Sequence, residues 1–208
     1  MFIKDIMKTQ LITLREDALI GEALQLMNKN RIRHLPIVDE KQGIVGIVSD
    51  RDIREASPSS LEQTHDRFLH FPVGEIMTKN VVTGSPLDSI EDVAASFYEY
   101  KISCLPITQN EKLIGIVTET DLLCVFIELT GAHQPGCRIE VRVDNSAGML
   151  SDVTAIIAKL QINIISVFVY PDTDENFKVL VIRMQVMNPK NAIRELTAKG
   201  YHVLWPMI

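Results

Sequence analysis

The 208-residue chain is 46% hydrophobic and 23% charged, the balance of a globular protein with room for two or three small domains. Its net charge of −6 is uneven: residues 1–130 hold 13 Lys/Arg against 20 Asp/Glu, and residues 131–208 hold 8 against 7. This excludes the basic excess of a nucleic-acid binder, and the longest apolar runs, such as CVFIEL, are too short for a membrane span. The charged start MFIKDIMKTQ is unlike a signal peptide. Cys104, Cys124 and Cys137 form no CxxC pair, which fits a reducing compartment and argues against a disulfide scaffold or zinc knuckle. A cytoplasmic protein without membrane or nucleic-acid partners is expected.

In chain order, QLITL at 10–14 reads as a short extended piece. An Asp-flanked helix follows, with Ala18, Leu19, Ala23, Leu24 and Met27 as its apolar stripe. HLPIVD predicts a strand with a proline near its start. A turn at Glu40–Gly43 leads to GIVGIVS, the second strand of a tight hairpin, and a helix starts at Asp50. Residues 57–73 turn from polar to amphipathic, a linker with a short helix. The same order then recurs: NVVTG, a Ser-flanked helix with Ile90, Val93, Ala94 and Phe97, then CLPITQ, a turn at Asn110–Lys112, LIGIVTE and a helix from Glu119.

The recurrence is in register. Ile6-Met7 matches Ile76-Met77, Thr13 matches Thr83, Ile32 matches Ile102 and Pro36-Ile37 matches Pro106-Ile107, all 70 residues apart; GIVSDRD matches GIVTETD at a spacing of 69. One repeat covers 1–56 and the other 74–130. Each is too small to bury a core alone, so the two are expected to pack as a pseudo-two-fold pair.

Residues 136–208 change pattern. CRIEVRVDN alternates like a half-exposed strand. A helix follows with Leu150, Val153, Ile156, Ile157 and Leu160 on one face, then the β-like INIISVFVYP and FKVLVIRMQV. PKNAIRELTAKG is helical with a stop at Gly200, and YHVLWPM closes as a strand. The order βαββαβ predicts a four-stranded antiparallel sheet with both helices on one face. The opposite face is expected to be apolar through Val141, Val143, Val167, Val169 and Val181, and to associate between chains in a homodimer.

The IM, LPI and GIV(S/T)xxD elements of the paired repeats resemble the tandem module of the cystathionine beta-synthase type, the CBS pair. The VDNSAGML stretch and its βαββαβ surroundings resemble an ACT domain, a module that commonly binds amino acids or mediates dimerisation. The combination is similar to the acetoin-utilisation accessory proteins. The implied class is α+β: a tandem CBS pair of small sheets packed with helices, followed by a ferredoxin-like ACT domain.

The hydroxyl-x-x-aspartate pattern, Ser49 with Asp52 and Thr118 with Asp121, has two readings. One is a helix N-terminus, a hydroxyl cap with an acid at the positive end of the dipole. The other uses the same geometry to bind: a carboxylate accepts both hydroxyls of a ribose while the hydroxyl and free N–H groups meet a phosphate. The CBS resemblance implies the second. Asp52 and Asp121 would hold ribose, with Ser49 and Thr118 near phosphate. Leu11, Ile12 and Thr13 with Val81, Val82 and Thr83, and Arg33, His34, Leu35 and Pro36 with Cys104, Leu105 and Pro106, would enclose the base. Arg31, Arg33, His34, Arg51 and Arg54 surround the first copy, whereas Lys101 and Lys112 are offset by Glu119 at the second. A multiply charged nucleotide is therefore expected at the first.

The expected ligand is AMP, ADP or ATP, ahead of S-adenosylmethionine, acting as a regulatory ligand with no cofactor required. In the ACT-like third, Asp144, Asn145, Ala147, Gly148, Met149 and Leu150 lie where the family places its effector loop, for an amino acid or other small metabolite. A tight turn in a purely dimerising module accounts for them equally.

No P-loop, hydrolase triad or metal-ligand spacing among the five histidines is present, so catalysis is not expected. The expected role is a sensor acting on a metabolic enzyme, with a scaffold of degenerate sites as the competing reading.

Overall fold

A computed structural model describes residues 1–57 and 65–206, in two compact units, Met1–Leu123 and Cys124–Ile208. The first unit contains two repeats of one plan. Repeat 1 has helix α1 (Ile20–Asn30), strands β1 (His34–Val38) and β2 (Ile44–Ser49) and helix α2 (Asp50–Ala56). After the short helix α3 (His65–Phe68) come α4 (Ile90–Tyr100), β3 (Cys104–Gln109), β4 (Lys112–Thr118) and α5 (Glu119–Thr130), whose residues from Cys124 onward belong to the second unit. Of the expected linker, residues 58–64 lie outside the described ones.

The repeats agree in fine detail. α1 and α4 both end on a left-handed residue, Arg31 (φ 54°) and Lys101 (φ 55°). Both hairpins are antiparallel and bulged at the same place, between Ile37 and Val38 and between Ile107 and Thr108. α4 carries the Ser89–Asp92 capping box, but α1 starts at Leu19 without a side-chain cap. The buried stripe of α1 is Ile20, Ala23 and Met27; Leu19 is exposed. The extended pieces at 10–14 and 80–84 pair with the hairpins through single bridges, Leu14 to Ile37 and Gly84 to Ile107.

Each repeat borrows its first segment from the other. Ile3 is fully buried in the core of repeat 2, with Val93, Phe97, Leu105, Ile107 and Val117. Phe68, Val73 and Met77 join the core of repeat 1, with Ile20, Leu35, Ile37 and Val48. The exchanged segments bridge to the partner hairpins at Lys8–Ile116 and Thr78–Ile47. At the crossings, Met7 lies on Gly115 and Met77 on Gly46, so close that an added Cβ would sit 2.5 Å and 2.4 Å from the sulfurs. The recurring IM and GIV elements are therefore two halves of one contact, closed across the pair.

The second unit contains β5 (Cys137–Asp144), α6 (Met149–Lys159), β6 (Ile164–Pro171), β7 (Phe177–Met184), α7 (Lys190–Ala198) and β8 (His202–Trp205). The antiparallel sheet has the order β6-β7-β5-β8, as the βαββαβ pattern predicts. Two expectations need correction. Val141 and Val143 face the helices, in one core with Ile139, Val153, Ile157, Leu180, Ile182 and Leu196, and Val167 packs against that core. Leu150 is exposed, because the buried face of α6 is set by Val153 and Ile157. The opposite sheet face is mixed: Phe168, Tyr170, Val179 and Val181 share it with Arg138, Glu140, Arg142 and Arg183.

Candidate functional site

Both hydroxyl–aspartate pairs form helix caps. Asp52 Oδ2 accepts from the Ser49 N–H and hydroxyl at 2.7 Å each, and Ser49 Oγ accepts from the Asp52 N–H at 3.2 Å. Asp121 Oδ2 accepts from the Thr118 N–H at 2.9 Å and hydroxyl at 2.6 Å. Ser89 and Asp92 make the same box at α4, so the motif by itself marks a helix start, not a ligand. Yet each cap uses only one carboxylate oxygen. The cap and acceptor readings are compatible, and the surroundings of the second oxygen separate the sites.

Those surroundings differ. Asp121 Oδ1 is 2.7 Å from the Lys8 ammonium; the carboxylate is only 14% exposed and the lysine 60%. Burial works against the charge of Asp121, but the bonds from Lys8 and Thr118 outweigh it and hold the carboxyl below its usual range. Position 78, the counterpart of Lys8, is Thr78, and no ion pair to Asp52 is present among the described residues.

Two crevices lie near these carboxylates, each built from both repeats; Asp52 lines the second itself, whereas Asp121 stands behind the lining of the first, next to its wall residues Thr118 and Lys8. The first is lined by Lys8, Gln10, Leu11, Ile12, Arg31, Ile32, Arg33, His34 and Pro36 of repeat 1 with Ile116, Thr118 and Thr120 of repeat 2. The second joins Ile47, Ser49–Asp52 and Arg54 with Thr78 and Lys101–Cys104, and shares Arg33 and His34. The base-enclosing pieces of repeat 1 thus face the hydroxyls of repeat 2. The physical reason is the segment exchange, which lays each hairpin end beside the other repeat. The sequence reading missed Lys8; its only signal was the Lys-to-Thr difference directly after the repeated IM.

Other placements follow strand alternation and helix pairing. Leu35 and Leu105 point into the cores and line neither crevice. Thr13 opens on a separate depression with Arg15 and Glu22. Val81, Val82, Thr83 and Pro106 are absent from the lining of the Asp52 crevice. Arg51 and Arg54 turn along α2 to Glu55 and Asp50, as i,i+4 pairs at 2.7 and 3.2 Å, which lessens their expected role as phosphate partners.

Between the crevices, His34 Nε2 lies 3.1 Å from Ser103 Oγ. Burial, aided by Arg33, pushes the imidazole below its ordinary value against Asp50, Asp52 and Glu119. Burial likewise pushes the Cys104 thiol up to about 12, so it is a neutral wall.

In the second unit, the loop Asp144–Leu150 lies beside the β6–β7 turn: the Asn145 N–H donates to the Asn176 carbonyl at 2.7 Å, and its side chain to the Glu175 carbonyl at 3.0 Å. Gly148, at φ 95°, is the N-cap of α6, a left-handed position where a side chain would be strained. Met149 packs against the core, while Asp144, Asn145, Ala147 and Leu150 are exposed.

No group of three or more His, Cys, Asp or Glu suited to a metal occurs among the described residues. No described helix is long and apolar enough to cross a membrane.

Residues 3–59 and 73–128 match the model of the CBS domain, and residues 138–200 that of the ACT domain. A homoserine O-acetyltransferase of Methanosalsum zhilinae is 38% identical over 58% of this chain, but the match spans only 23% of that enzyme. A CBS domain-containing protein of Dictyostelium discoideum is 34% identical over 61% of this chain and 92% of its own length. Among solved structures, the CBS domain pair of protein MJ0100, in complex with 5'-methylthioadenosine and S-adenosyl-L-methionine, is 33% identical with a TM-score of 0.54. It covers 64% of this chain and 98% of that one. A Vibrio cholerae protein assigned to acetoin utilization (AcuB) is 30% identical with a TM-score of 0.56, over 64% of this chain and 96% of that one. CBSX2, in complex with AMP, is 25% identical with a TM-score of 0.51, over 61% and 96%.

Proposed function

Since the chain belongs to the CBS domain family and carries an ACT domain behind the paired repeats, we infer that it is a non-catalytic regulatory protein whose repeat pair binds an adenosine phosphate in the Asp121 crevice. The observation that carries this reading is the composition of that crevice. Apolar walls from Leu11, Ile12, Pro36 and Ile116 stand beside the hydroxyls of Thr118 and Thr120 and the cations Lys8, Arg31 and Arg33. A purine needs the first and a phosphate the others. This departs from the expectation of a multiply charged nucleotide at the first copy: the Asp52 crevice is larger, about 410 against 220 Å³, but its lining is mostly polar and charged. Chemistry outweighs volume here, because the Asp52 cleft offers a base only Ile47, Ile102 and Cys104 as apolar surface.

Asp121 is the ribose acceptor in this scheme, and Lys8 is its partner until ligand arrives. In this scheme the exposed Lys8 ammonium passes from the carboxylate to a phosphate, while ribose hydroxyls take its place at Oδ1. AMP, ADP and ATP are preferred over S-adenosylmethionine, since the latter brings a positive sulfonium to a basic crevice. The complexes of the MJ0100 pair and CBSX2 support an adenosine-based ligand. In this reading the protein works in the cytoplasm, as a homodimer acting on a metabolic enzyme. Its ACT domain dimerises or senses an amino acid at Asp144–Leu150, and likeness to the Vibrio cholerae protein supports a link to acetoin or acetate metabolism.

Calorimetric titration with AMP, ADP, ATP, S-adenosylmethionine and 5'-methylthioadenosine tests this. Saturable binding of a phosphorylated ligand, lost in Asp121→Ala, is expected. Absence of binding at millimolar concentration would leave the scaffold reading instead.

A further inference from the structure

The sheet face of the second unit that turns away from α6 and α7 is partly roofed by the end of α5. Ser166 Oγ donates to the Thr130 carbonyl at 2.9 Å, and the Phe126 and Phe168 ring centres are 6.5 Å apart. Beneath this roof is a cavity of about 450 Å³, within the size range of small-molecule sites, lined by Phe126, Phe168, Tyr170 and Val181 together with Arg138 and Arg183.

The two arginines are directly opposite each other on β5 and β7, a like-charge juxtaposition that a sheet tolerates poorly. Arg138 pairs with Glu140. Arg183 has no ion pair among the described residues: its Nη2 donates to the carbonyls of Gln134 at 2.8 Å and Ala132 at 3.4 Å, and its buried Nε has no partner. Carbonyl dipoles orient the guanidinium without cancelling its charge. The cavity thus combines aromatic walls with one uncompensated cation, and lacks an anion.

We propose that this cavity binds a small monocarboxylate with an apolar or aromatic body, its carboxylate meeting the Arg138–Arg183 pair and its body lying between Phe126, Phe168 and Tyr170. A phosphate ester suits it less, because the walls beyond the arginines offer a highly charged group few donors. The site is separate from the nucleotide crevice and from the Asp144–Leu150 loop, and does not depend on either.

The test uses the full chain, titrated with phenylacetate and with its neutral analogue phenylacetamide, followed by saturation-transfer NMR and calorimetry. Phenylacetate is expected to bind with a dissociation constant in about the millimolar range, and the amide about tenfold more weakly. Arg183→Met and Ala132→Phe are each expected to lower phenylacetate affinity about tenfold or more, with AMP affinity unchanged in the same samples. Ala132 is exposed, so Ala132→Phe fills the cavity mouth and decides the matter should Arg183→Met fail to fold. Equal binding of acid and amide, or full affinity in a folded Arg183→Met or Ala132→Phe variant, would overturn the proposal. So would a sedimentation profile in which Ala132→Phe splits a dimer, since the cavity would then be a contact between copies.

Discussion

The two crevices of the repeat pair are assembled from equivalent parts and still differ in character. Both have a carboxylate that caps its helix through one oxygen and leaves the other out of the cap, and both are completed by the other repeat. At Asp121 that oxygen meets Lys8, beside apolar walls; at Asp52 the matching residue is Thr78, and the surface is polar and open. Duplication therefore preserves where the acceptors stand, while a few substitutions decide what they accept. Pseudo-symmetry is a statement about backbone and cap, not about ligand.

The comparison can be broken most directly at the carboxylates. Asp121→Ala is expected to weaken AMP binding by about 2 kcal/mol, roughly thirtyfold, through the loss of a charged acceptor. Asp52→Ala should change it less than about threefold. The reverse ranking, read by calorimetry, would transfer the nucleotide to the Asp52 crevice. A symmetric effect is expected at the crossings: Gly46→Ala and Gly115→Ala should each cost about 1–2 kcal/mol in chemical denaturation, because methionine occupies the space a Cβ needs. Met77→Ala and Met7→Ala, respectively, should relieve part of that cost, since they remove the obstructing sulfur.

Lys8→Met would sharpen the contrast. It is expected to weaken AMP about tenfold and leave 5'-methylthioadenosine unchanged or tighter, because only the first ligand has a phosphate to reward the lysine. Equal losses for both ligands would make Lys8 a structural anchor of Asp121 instead. The smallest effect is at His34. Its folded value lies below the ordinary 6.5, so the folded state binds fewer protons and favours the neutral ring. The associated stability is complete above about pH 6.5 and is lost as the pH falls from there through the folded value. His34→Gln should flatten that part of a thermal-melt series across pH 5–7.5.

Most of the architecture was legible because the chain states it twice. A 70-residue echo of IM, LPI and GIV identifies the paired repeats before any element is placed, and the βαββαβ order identifies the sheet that follows. What stayed hidden lies across the chain. Linear order puts His34 with Asp52, and the second crevice keeps them together; what linear order does not show is that exchange of the leading segments sets Leu11, Ile12 and Pro36 beside Thr118. Proximity to the motif makes Arg51 and Arg54 phosphate candidates, yet the helical spacing that pairs them with Glu55 and Asp50 is equally present in the sequence. Alternation in β5 correctly separated its two faces. The same alternation, with helices covering one face only, already directs Val141 and Val143 to them and Arg138 and Arg142 outward; the expectation of an apolar outer face ran against it.

The traded segments also say what kind of object the repeat pair is. Ile3 and Met7 complete repeat 2, and Val73 and Met77 complete repeat 1. In effect the unit is a domain-swapped dimer whose two protomers share one peptide chain. A lone repeat carries a clasp and a slot that do not match each other within the same copy, so expressed singly it should seek a second molecule. The earliest residues of the chain are thus structural property of its second repeat, and a change at position 3 or 7 is felt first some hundred residues away in sequence.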